Sequence, residues 1–228
     1  MNDLKETITL IVACKNADKV LPKLINSYKN QTYSKKELII IDGKSTDNTK
    51  NILLRNKKFI TKWISETDKG ICDAWNKGIK LSRGEWILFF GADDKFYEKN
   101  TLEKVALELI KLDKKQYVAY AKILTVTSDD KILAEYGEPW YKNKEKFRSI
   151  MSIPHQGVFH RKITFKKFGF FDSNFKYAGD YDLLVKVFKE NEPFFLKNSI
   201  ISKMAIGGQS SLPSESWQVL IDFFVVRK

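Results

Sequence analysis

The chain has 228 residues, 43% of them hydrophobic and 13% aromatic, which is enough to bury the core of one α/β domain. Its net charge of +12 favours anionic partners, a class that includes nucleic acids, acidic membrane surfaces and phosphorylated small molecules. The only cysteines, Cys14 and Cys72, form no CxxC pair, which argues against a zinc site or a disulfide framework. We expect a cytoplasmic protein, because no signal-peptide pattern and no apolar run of ~20 residues occurs.

The first ninety residues alternate between short apolar runs and segments with helical spacing of apolar residues. Strands are predicted at 8–14, 37–41, 59–65 and 86–90. Helices are predicted at 20–28, 49–55 and 71–81. Strict alternation of this kind predicts a parallel sheet with right-handed crossovers.

A polar or acidic cluster follows each of the four predicted strands. The clusters are Lys15-Asn16, Asp42, Asp68 and Asp93-Asp94. Because the carboxyl ends of parallel strands share one edge of a sheet, we expect these clusters to converge on one ligand. The adjacent acids Asp93 and Asp94 repel each other unless a divalent cation such as Mg²⁺ or Mn²⁺ lies between them. The alternative interpretation of this pair is a solvated polar turn.

The pattern of the chain changes after Asp94. We expect a helix at 100–112, a hairpin over 117–136, a loop at 138–148, a strand entry at 154–159, a short helix at 161–168, a helix at 181–189, late strands at 194–196 and 200–206, and a closing helix at 214–226. His160, next to Arg161, is expected at the surface. The closing helix is expected to pack on its own domain, to lie on an anionic membrane surface or to bind a partner protein.

The octet DGKSTDNT at 42–49 resembles the DGxSxDxT signature of family-two glycosyltransferases, inverting enzymes of the GT-A fold. The resemblance continues at 68–79, 84–87, 155–156, 169–172 and 179–184. It implies an α/β, Rossmann-like GT-A fold with a mostly parallel central sheet flanked by helices. It also implies one domain over 1–228, in which 1–98 bind the nucleotide and 99–228, with the closing helix, bind the acceptor.

The same resemblance assigns roles to residues at the predicted sheet edge. The nucleotide-sugar would contact Ala13, Asn16, Asp42, Asp68, Gly70, Asp73 and Ala92. Asp42 corresponds to an acid that accepts a hydrogen bond from uracil, although it could instead cap its own turn. Asp73 could likewise be an ordinary first-turn acid of its helix.

Metal and acid–base roles follow from the resemblance too. Asp93 corresponds to the metal-binding acid of the family's DxD motif, with Asp94 nearby, so the implied cofactor is Mn²⁺ or Mg²⁺. Asp180 corresponds to the general base. The chain departs from the family twice: Gly91 replaces the first acid of DxD, and Gly179 replaces the glutamate that usually precedes the base.

His155 and Gln156 precede a strand that we expect beside the site. They could contact the diphosphate, the metal or the acceptor, whereas a lone histidine is also often structural.

The implied function is metal-dependent, inverting transfer of a sugar from a nucleotide-sugar, expected to be UDP-linked, to a glycan or lipid-linked acceptor in surface polysaccharide biosynthesis. The alternative is a nucleotide-sugar or glycan-binding module that lost activity through Gly91 and Gly179. Nucleic-acid binding is suggested by charge alone, and no aromatic-basic motif supports it. A nucleotidyltransferase would need a glycine-rich phosphate loop after the first strand, which the segment CKNA at 14–17 lacks.

Overall fold

The computed structural model describes residues 6–127, 129–205, 222 and 224–226. The strands are β1 (Ile8–Cys14), β2 (Lys36–Asp42), β3 (Lys62–Ser65), β4 (Trp86–Gly91), β5 (Lys95–Phe96), β6 (Val118–Val126), β7 (Ile132–Tyr136), β8 (Val158–Arg161) and β9 (Phe194–Ala205). The helices are α1 (Leu21–Lys29), α2 (Thr49–Arg55), α3 (Ile71–Leu81), α4 (Thr101–Leu109), α5 (Trp140–Phe147), α6 (Ile163–Phe168) and α7 (Gly179–Phe188). A 3₁₀ turn at His155–Gly157 leads into β8.

The nine described strands form one sheet in the order β3-β2-β1-β4-β8-β6-β9-β5, with β7 paired to β6. The first four are parallel, and their register places Cys14 opposite Asp42 and Ala13 opposite Gly91. The loops that follow β1, β2 and β4 therefore leave the sheet at one edge. β8 runs antiparallel to β4, so the 3₁₀ turn before β8 lies at that same edge.

The central strand β4 is buried on both faces, as its uninterrupted apolar sequence predicts. Trp86, Leu88 and Phe90 point into one hydrophobic layer, which they share with α1 and α4. Ile87 and Phe89 point into the opposite layer, which contains side chains of α3, α6 and α7. Helices thus cover both faces of the sheet, and the carboxyl ends of its parallel strands remain as the open edge.

The predicted loop at 138–148 is wrong, because this segment contains the helix α5. Trp140 and Phe147 pack against each other and against Phe188 of α7, with ring centroids 5.0–5.6 Å apart. Five of the eight residues of α5 form the polar stretch KNKEK at 142–146, and of these Asn143 alone is buried. The apolar stripe is therefore too narrow to give a clear helical period.

The predicted surface position of His160 is also wrong, because its side chain is completely buried. β8 lies between β4 and β6 inside the sheet, and all four of its residues are buried. The two late strands expected at 194–196 and 200–206 are instead one strand, β9, which pairs with both β6 and β5.

Most of the predicted closing helix at 214–226 lies outside the described residues. Asp222 and residues 224–226 are helical. The Asp222 carboxylate accepts hydrogen bonds from the backbone amides of Tyr177 (2.7 Å) and Ala178 (3.3 Å), immediately before α7. Val226 packs against the hydrophobic core, so these two side chains contact the chain's own domain. Across the described ranges, each helix is too short or too polar to cross a membrane.

Candidate active site

The loops after β1 and β2 are held together by reciprocal hydrogen bonds. The amide of Asn16 donates to Ser45 Oγ (2.7 Å), and the amide of Thr46 donates back to Asn16 Oδ1 (2.9 Å). The amide of Ala17 donates to Thr49 Oγ1 (2.8 Å). The hydroxyls of Ser45 and Thr49 in the DGKSTDNT octet, together with the side-chain amide of Asn16, therefore fix the backbone at this edge. The Asn16 side chain itself is exposed there.

Asp42 ends β2 and is fully buried. Its carboxylate accepts the amide of Ser45 (3.2 and 3.3 Å) and the hydroxyls of Ser45 and Ser65, the latter at 2.6 Å. These bonds show that Asp42 holds its own turn. A nucleotide base would have to donate a further hydrogen bond to this same carboxylate. The role of Asp42 in binding the base stays a prediction.

Asp68 lies beside the turn after β2. A Cβ atom built on Gly43 would be only 2.6 Å from Asp68 Oδ2, which shows how closely the Asp68 carboxylate approaches this turn. Asp68 Oδ1 accepts the amide of Gly70 (3.1 Å), and Gly70 has φ 120°, a conformation that L side chains rarely adopt. The Asp68–Gly70 turn thereby starts α3 at the same edge of the sheet.

Asp73 occupies the first turn of α3. Its carboxylate accepts the amide of Lys69 (3.0 Å) and forms an ion pair with Lys77 (3.3 Å) one turn further on. This is the position of a first-turn acid that stabilises a helix start. Its side chain is half-buried, and a second role toward a ligand stays a prediction.

Asp93 and Asp94 form a close acidic pair at the carboxyl end of β4. Asp94 is buried, its Oδ2 accepts the amide of Gly91 (2.7 Å), and its Oδ1 has no hydrogen-bond partner among the described residues. Burial, and then the negative charge of Asp93, raise the pKa of Asp94 well above its usual range. A Cβ atom on Gly91 would lie 2.9 Å from Asp93 Oδ1 and 3.4 Å from Asp94 Oδ2, so both carboxylates gather around this glycine.

An unpaired carboxylate oxygen beside an exposed second carboxylate fits a hard divalent cation. Within the described ranges, no group of three or more His, Cys, Asp or Glu side chains is arranged to hold a metal ion. Asp93 and Asp94 would therefore supply two ligands, and the remaining positions would belong to water or ligand oxygens.

Asp180 lies in the first turn of α7 with its side chain 17% exposed. Burial raises its pKa to about 6, although the amide of Tyr181, which donates to Asp180 Oδ1 (2.8 Å), acts in the opposite direction. A carboxylate with this pKa is mostly ionised at neutral pH and is more basic than an ordinary aspartate. That combination suits a general base.

The glycine before Asp180 packs directly on α3. A Cβ atom built on Gly179 would be 2.4 Å from Cys72 Sγ. The glutamate that the family usually has at this position therefore does not fit unless Cys72 moves. The contact also brings the start of α7 against the start of α3, and Asp180 lies close enough to Cys72 to raise the pKa of its thiol.

His155 lies between Asp180 and Phe89 of β4. Its ring stacks on Phe89 with centroids 5.3 Å apart and contacts Trp75 at 4.8 Å. Its Nδ1 lies 3.9 Å from Asp180 Oδ2. Burial lowers the pKa of His155 to about 3, so the ring is neutral. Gln156, the next residue of the 3₁₀ turn, is half-buried.

The predicted site residues thus lie along one edge of the sheet. Ala13 ends β1 opposite Gly91, and Ala92 follows β4; both are half-buried. His160 is the residue of this region that the sequence prediction missed. Its only signal in the sequence was the pair of apolar residues, Val158 and Phe159, that precedes it.

This sheet order, with acidic loops at the ends of parallel strands, is that of the GT-A fold of glycosyltransferases, which the solved structures reported below share. The family model for Glycosyl transferase family 2 matches residues 9–167. The chain therefore belongs to that family, and the predicted family and fold are confirmed.

Two relatives and two solved structures illustrate the similarity. A PGL/p-HBAD biosynthesis glycosyltransferase of Mycobacterium tuberculosis is 31% identical over 183 residues, which cover 79% of this chain and 69% of that protein. An uncharacterized glycosyltransferase of Rickettsia typhi is 28% identical over 216 residues (92% and 67%). TarS 1–349 of S. aureus in complex with UDP-GlcNAc has a TM-score of 0.75 at 19% identity (96% and 66%). The mannosyltransferase PcManGT of Pyrobaculum calidifontis, with GDP-Man and Mn²⁺, has a TM-score of 0.70 at 16% identity (96% and 63%). The chain spans about two thirds of the length of each.

Proposed function

We propose that the protein transfers a hexosyl or N-acetylhexosaminyl group from a UDP-sugar to a hydroxyl of a glycan or lipid-linked acceptor, with inversion at the anomeric carbon. The observation that carries this proposal is Asp180, a largely buried carboxylate with a pKa of about 6 at the edge where the parallel strands end. Family membership and the UDP-GlcNAc complex of TarS, a protein of the same fold, support it.

In the proposed reaction Asp180 removes the proton of the acceptor hydroxyl. The acceptor oxygen forms a bond to the anomeric carbon from the face opposite the nucleotide. The bond between that carbon and the diphosphate oxygen breaks, and UDP leaves with the electron pair. The neutral His155 beside Asp180 adds no positive charge that would lower the pKa of the base.

In this proposal residues 1–98 bind the donor and residues 99–228 bind the acceptor. The donor would be contacted by residues at the carboxyl ends of the parallel strands and in the loops that follow them: Ala13, Asn16, Asp42, Asp68, Gly70, Asp73 and Ala92. Gln156 and His155 would contact the diphosphate or the acceptor, since their turn precedes β8 next to β4.

Asp93 and Asp94 would hold Mn²⁺ or Mg²⁺. The free Oδ1 of Asp94 and the exposed carboxylate of Asp93 support this assignment. The cation would neutralise charge on the leaving diphosphate. The Mn²⁺ in the PcManGT complex is a further argument from a protein of the same fold.

We place the reaction in surface polysaccharide biosynthesis, in the cytoplasm or at the inner face of the membrane. The net charge of +12 would favour an anionic surface, and Phe224 and Val225 are exposed on the closing helix. A second candidate, a binding module without activity, is favoured by the glycines at 91 and 179.

A thermal-shift panel of UDP-GlcNAc, UDP-glucose, UDP-galactose and GDP-mannose, with and without Mn²⁺, tests donor binding. We expect one UDP-sugar to stabilise the protein in a Mn²⁺-dependent way, and Asp93→Ala to lose this effect. Asp180→Asn should retain the shift and lose release of UDP. The matched control is Asp113→Asn, an exposed aspartate near Arg161 at the opposite edge of the sheet, which should retain both.

The outcomes separate the two candidates. The parent protein would be a binding module if it binds a donor but releases no UDP, either with water or with any of a panel of glycan acceptors. No stabilisation by any donor would contradict both.

A further inference from the structure

His155 and His160 face each other inside the protein, on either side of the start of β8. Their Nε2 atoms are 3.3 Å apart, a hydrogen-bonding distance, and the exposed fractions of the two residues are 7% and 0%. The surroundings are aromatic, with Phe89, Phe165 and Phe171 around the pair. In this bond one Nε2 atom must donate a hydrogen and the other must accept it.

Both rings are neutral. Burial lowers the pKa of His155 to about 3; burial, and then the proximity of His155, lower the pKa of His160 well below its usual range. Each ring therefore carries one N–H. The ring that donates has its hydrogen on Nε2, and the ring that accepts must have its hydrogen on Nδ1.

The Nδ1 atom of His160 decides which ring donates. It is buried and has no hydrogen-bond partner in the part of the chain that the structure describes. A buried N–H without an acceptor is rarer in proteins than an acceptor without a donor. The hydrogen of His160 is therefore on Nε2, and it is donated to His155. His155 consequently has its hydrogen on Nδ1, the atom that lies 3.9 Å from Asp180 Oδ2.

We propose that His160 is a positioning residue, which fixes the tautomer of His155 so that an N–H group, rather than a lone pair, faces Asp180. The N–H dipole favours the carboxylate form of Asp180, the form that can accept a proton. The opposite tautomer would place a nitrogen lone pair beside the carboxylate and favour its protonated form. The proposal depends on the proposed function for the role of Asp180 as a base, but the tautomer itself does not.

Other titratable groups lie near Asp180. Burial, and then the charges of neighbouring aspartates, raise the pKa of the Cys72 thiol to about 12, so this side chain of α3 is neutral. The aspartates that act on it are Asp180, Asp172, Asp222 and Asp182. Since none of the neighbours of Asp180 is replaced in the experiment below, their effects are the same in every variant.

Nuclear magnetic resonance of the 228-residue protein tests the proposal without any substrate. In ¹⁵N-histidine-labelled protein we expect His155 to be protonated at Nδ1 and His160 at Nε2. In ¹³C-aspartate-labelled protein the Cγ signal of Asp180, assigned by its loss in Asp180→Asn, gives the pKa of this group. His160→Phe keeps an aromatic ring and removes the donor, so the pKa of Asp180 should rise by roughly half a unit to one unit.

Two further variants separate hydrogen bonding from packing. His160→Gln can still donate a side-chain N–H to His155 and should restore the parent titration of Asp180. Phe165→Leu removes a ring that packs on His160 at 5.4 Å without removing the donor, and should leave the titration unchanged.

The proposal is wrong if His155 carries its hydrogen on Nε2 in the parent protein, or if folded His160→Phe leaves the pKa of Asp180 unchanged. If His160→Phe does not fold, the ¹⁵N tautomers of the parent protein decide the question alone. Absence of transferase activity would contradict the proposed function but would leave these measurements and their interpretation intact.

Discussion

Replacing Asp180 by asparagine should stabilise the folded protein and, under the proposed function, remove its activity. The Asp180 side chain is 17% exposed, and burial raises its pKa to about 6. At neutral pH the folded protein therefore holds an ionised carboxylate in an environment that disfavours the charge. Asparagine has the same shape, and its amide oxygen can still accept the hydrogen bond from the Tyr181 amide, but it carries no charge.

The size of the effect follows from proton linkage. Because the pKa of Asp180 is raised from 3.8 to about 6, the folded state binds more protons than the unfolded state between these values. The free energy of unfolding therefore decreases as the pH rises through this window. The difference corresponds to about 3 kcal/mol near pH 7.5 and to roughly half of that near pH 5. Asp180→Asn should exceed the parent protein in stability by up to these amounts.

Urea unfolding of the parent protein and of Asp180→Asn at a series of pH values measures the difference directly. Asp113→Asn serves as the control for the loss of one carboxylate, because its side chain is exposed. A variant less stable than the parent at neutral pH, or a stability difference that does not change with pH, would refute the assignment of a charge penalty to Asp180.

Three further outcomes are expected. Asp222→Ala removes the acceptor of the Tyr177 and Ala178 amides and should lower the free energy of unfolding by about 1–2 kcal/mol, whereas Asp222→Asn should cost less; equal urea midpoints for the two variants would contradict this. Gly70→Ala should cost about 1–3 kcal/mol from backbone strain alone, since φ is 120° and its Cβ would meet no atom within 4 Å; an unchanged midpoint would show that the turn adapts. Asp94→Asn should stabilise the metal-free protein and abolish the Mn²⁺-dependent thermal shift with a UDP-sugar, and retention of that shift would exclude Asp94 as a ligand.

The sheet edge could be predicted from the sequence because three of the parallel strands, β1, β2 and β4, are largely apolar and buried on both faces and are followed by polar residues. The strand from Trp86 to Phe90 is the clearest case, with all five side chains buried. Once strands and helices alternate, right-handed crossovers place their carboxyl ends together, and the register of Cys14 with Asp42 follows. The position of Asp42 at this edge was therefore predictable, but its bonds to Ser45 and Ser65 were not.

Contacts between distant segments were not predictable in the same way. His160 occurs in a four-residue strand next to Arg161, and only the pairing of that strand with both β4 and β6 shows that it is buried. Its contact with His155 depends on the 3₁₀ turn, whose geometry has no periodic signal. The hydrogen bond that the Tyr177 amide donates to the Asp222 carboxylate likewise joins residues 45 positions apart.

The two glycines that depart from the family motifs have different physical consequences. At Gly179 the space of a side chain is already occupied by Cys72 Sγ, so an acid could be restored there only if Cys72 moves or is replaced by a smaller residue. At Gly91 a side chain would approach the far ends of Asp93 and Asp94, which can rotate, and an added acid would increase the repulsion that already raises the pKa of Asp94. If the proposed function holds, Asp180 acts without an acidic neighbour at 179, and burial is the main cause of its raised pKa.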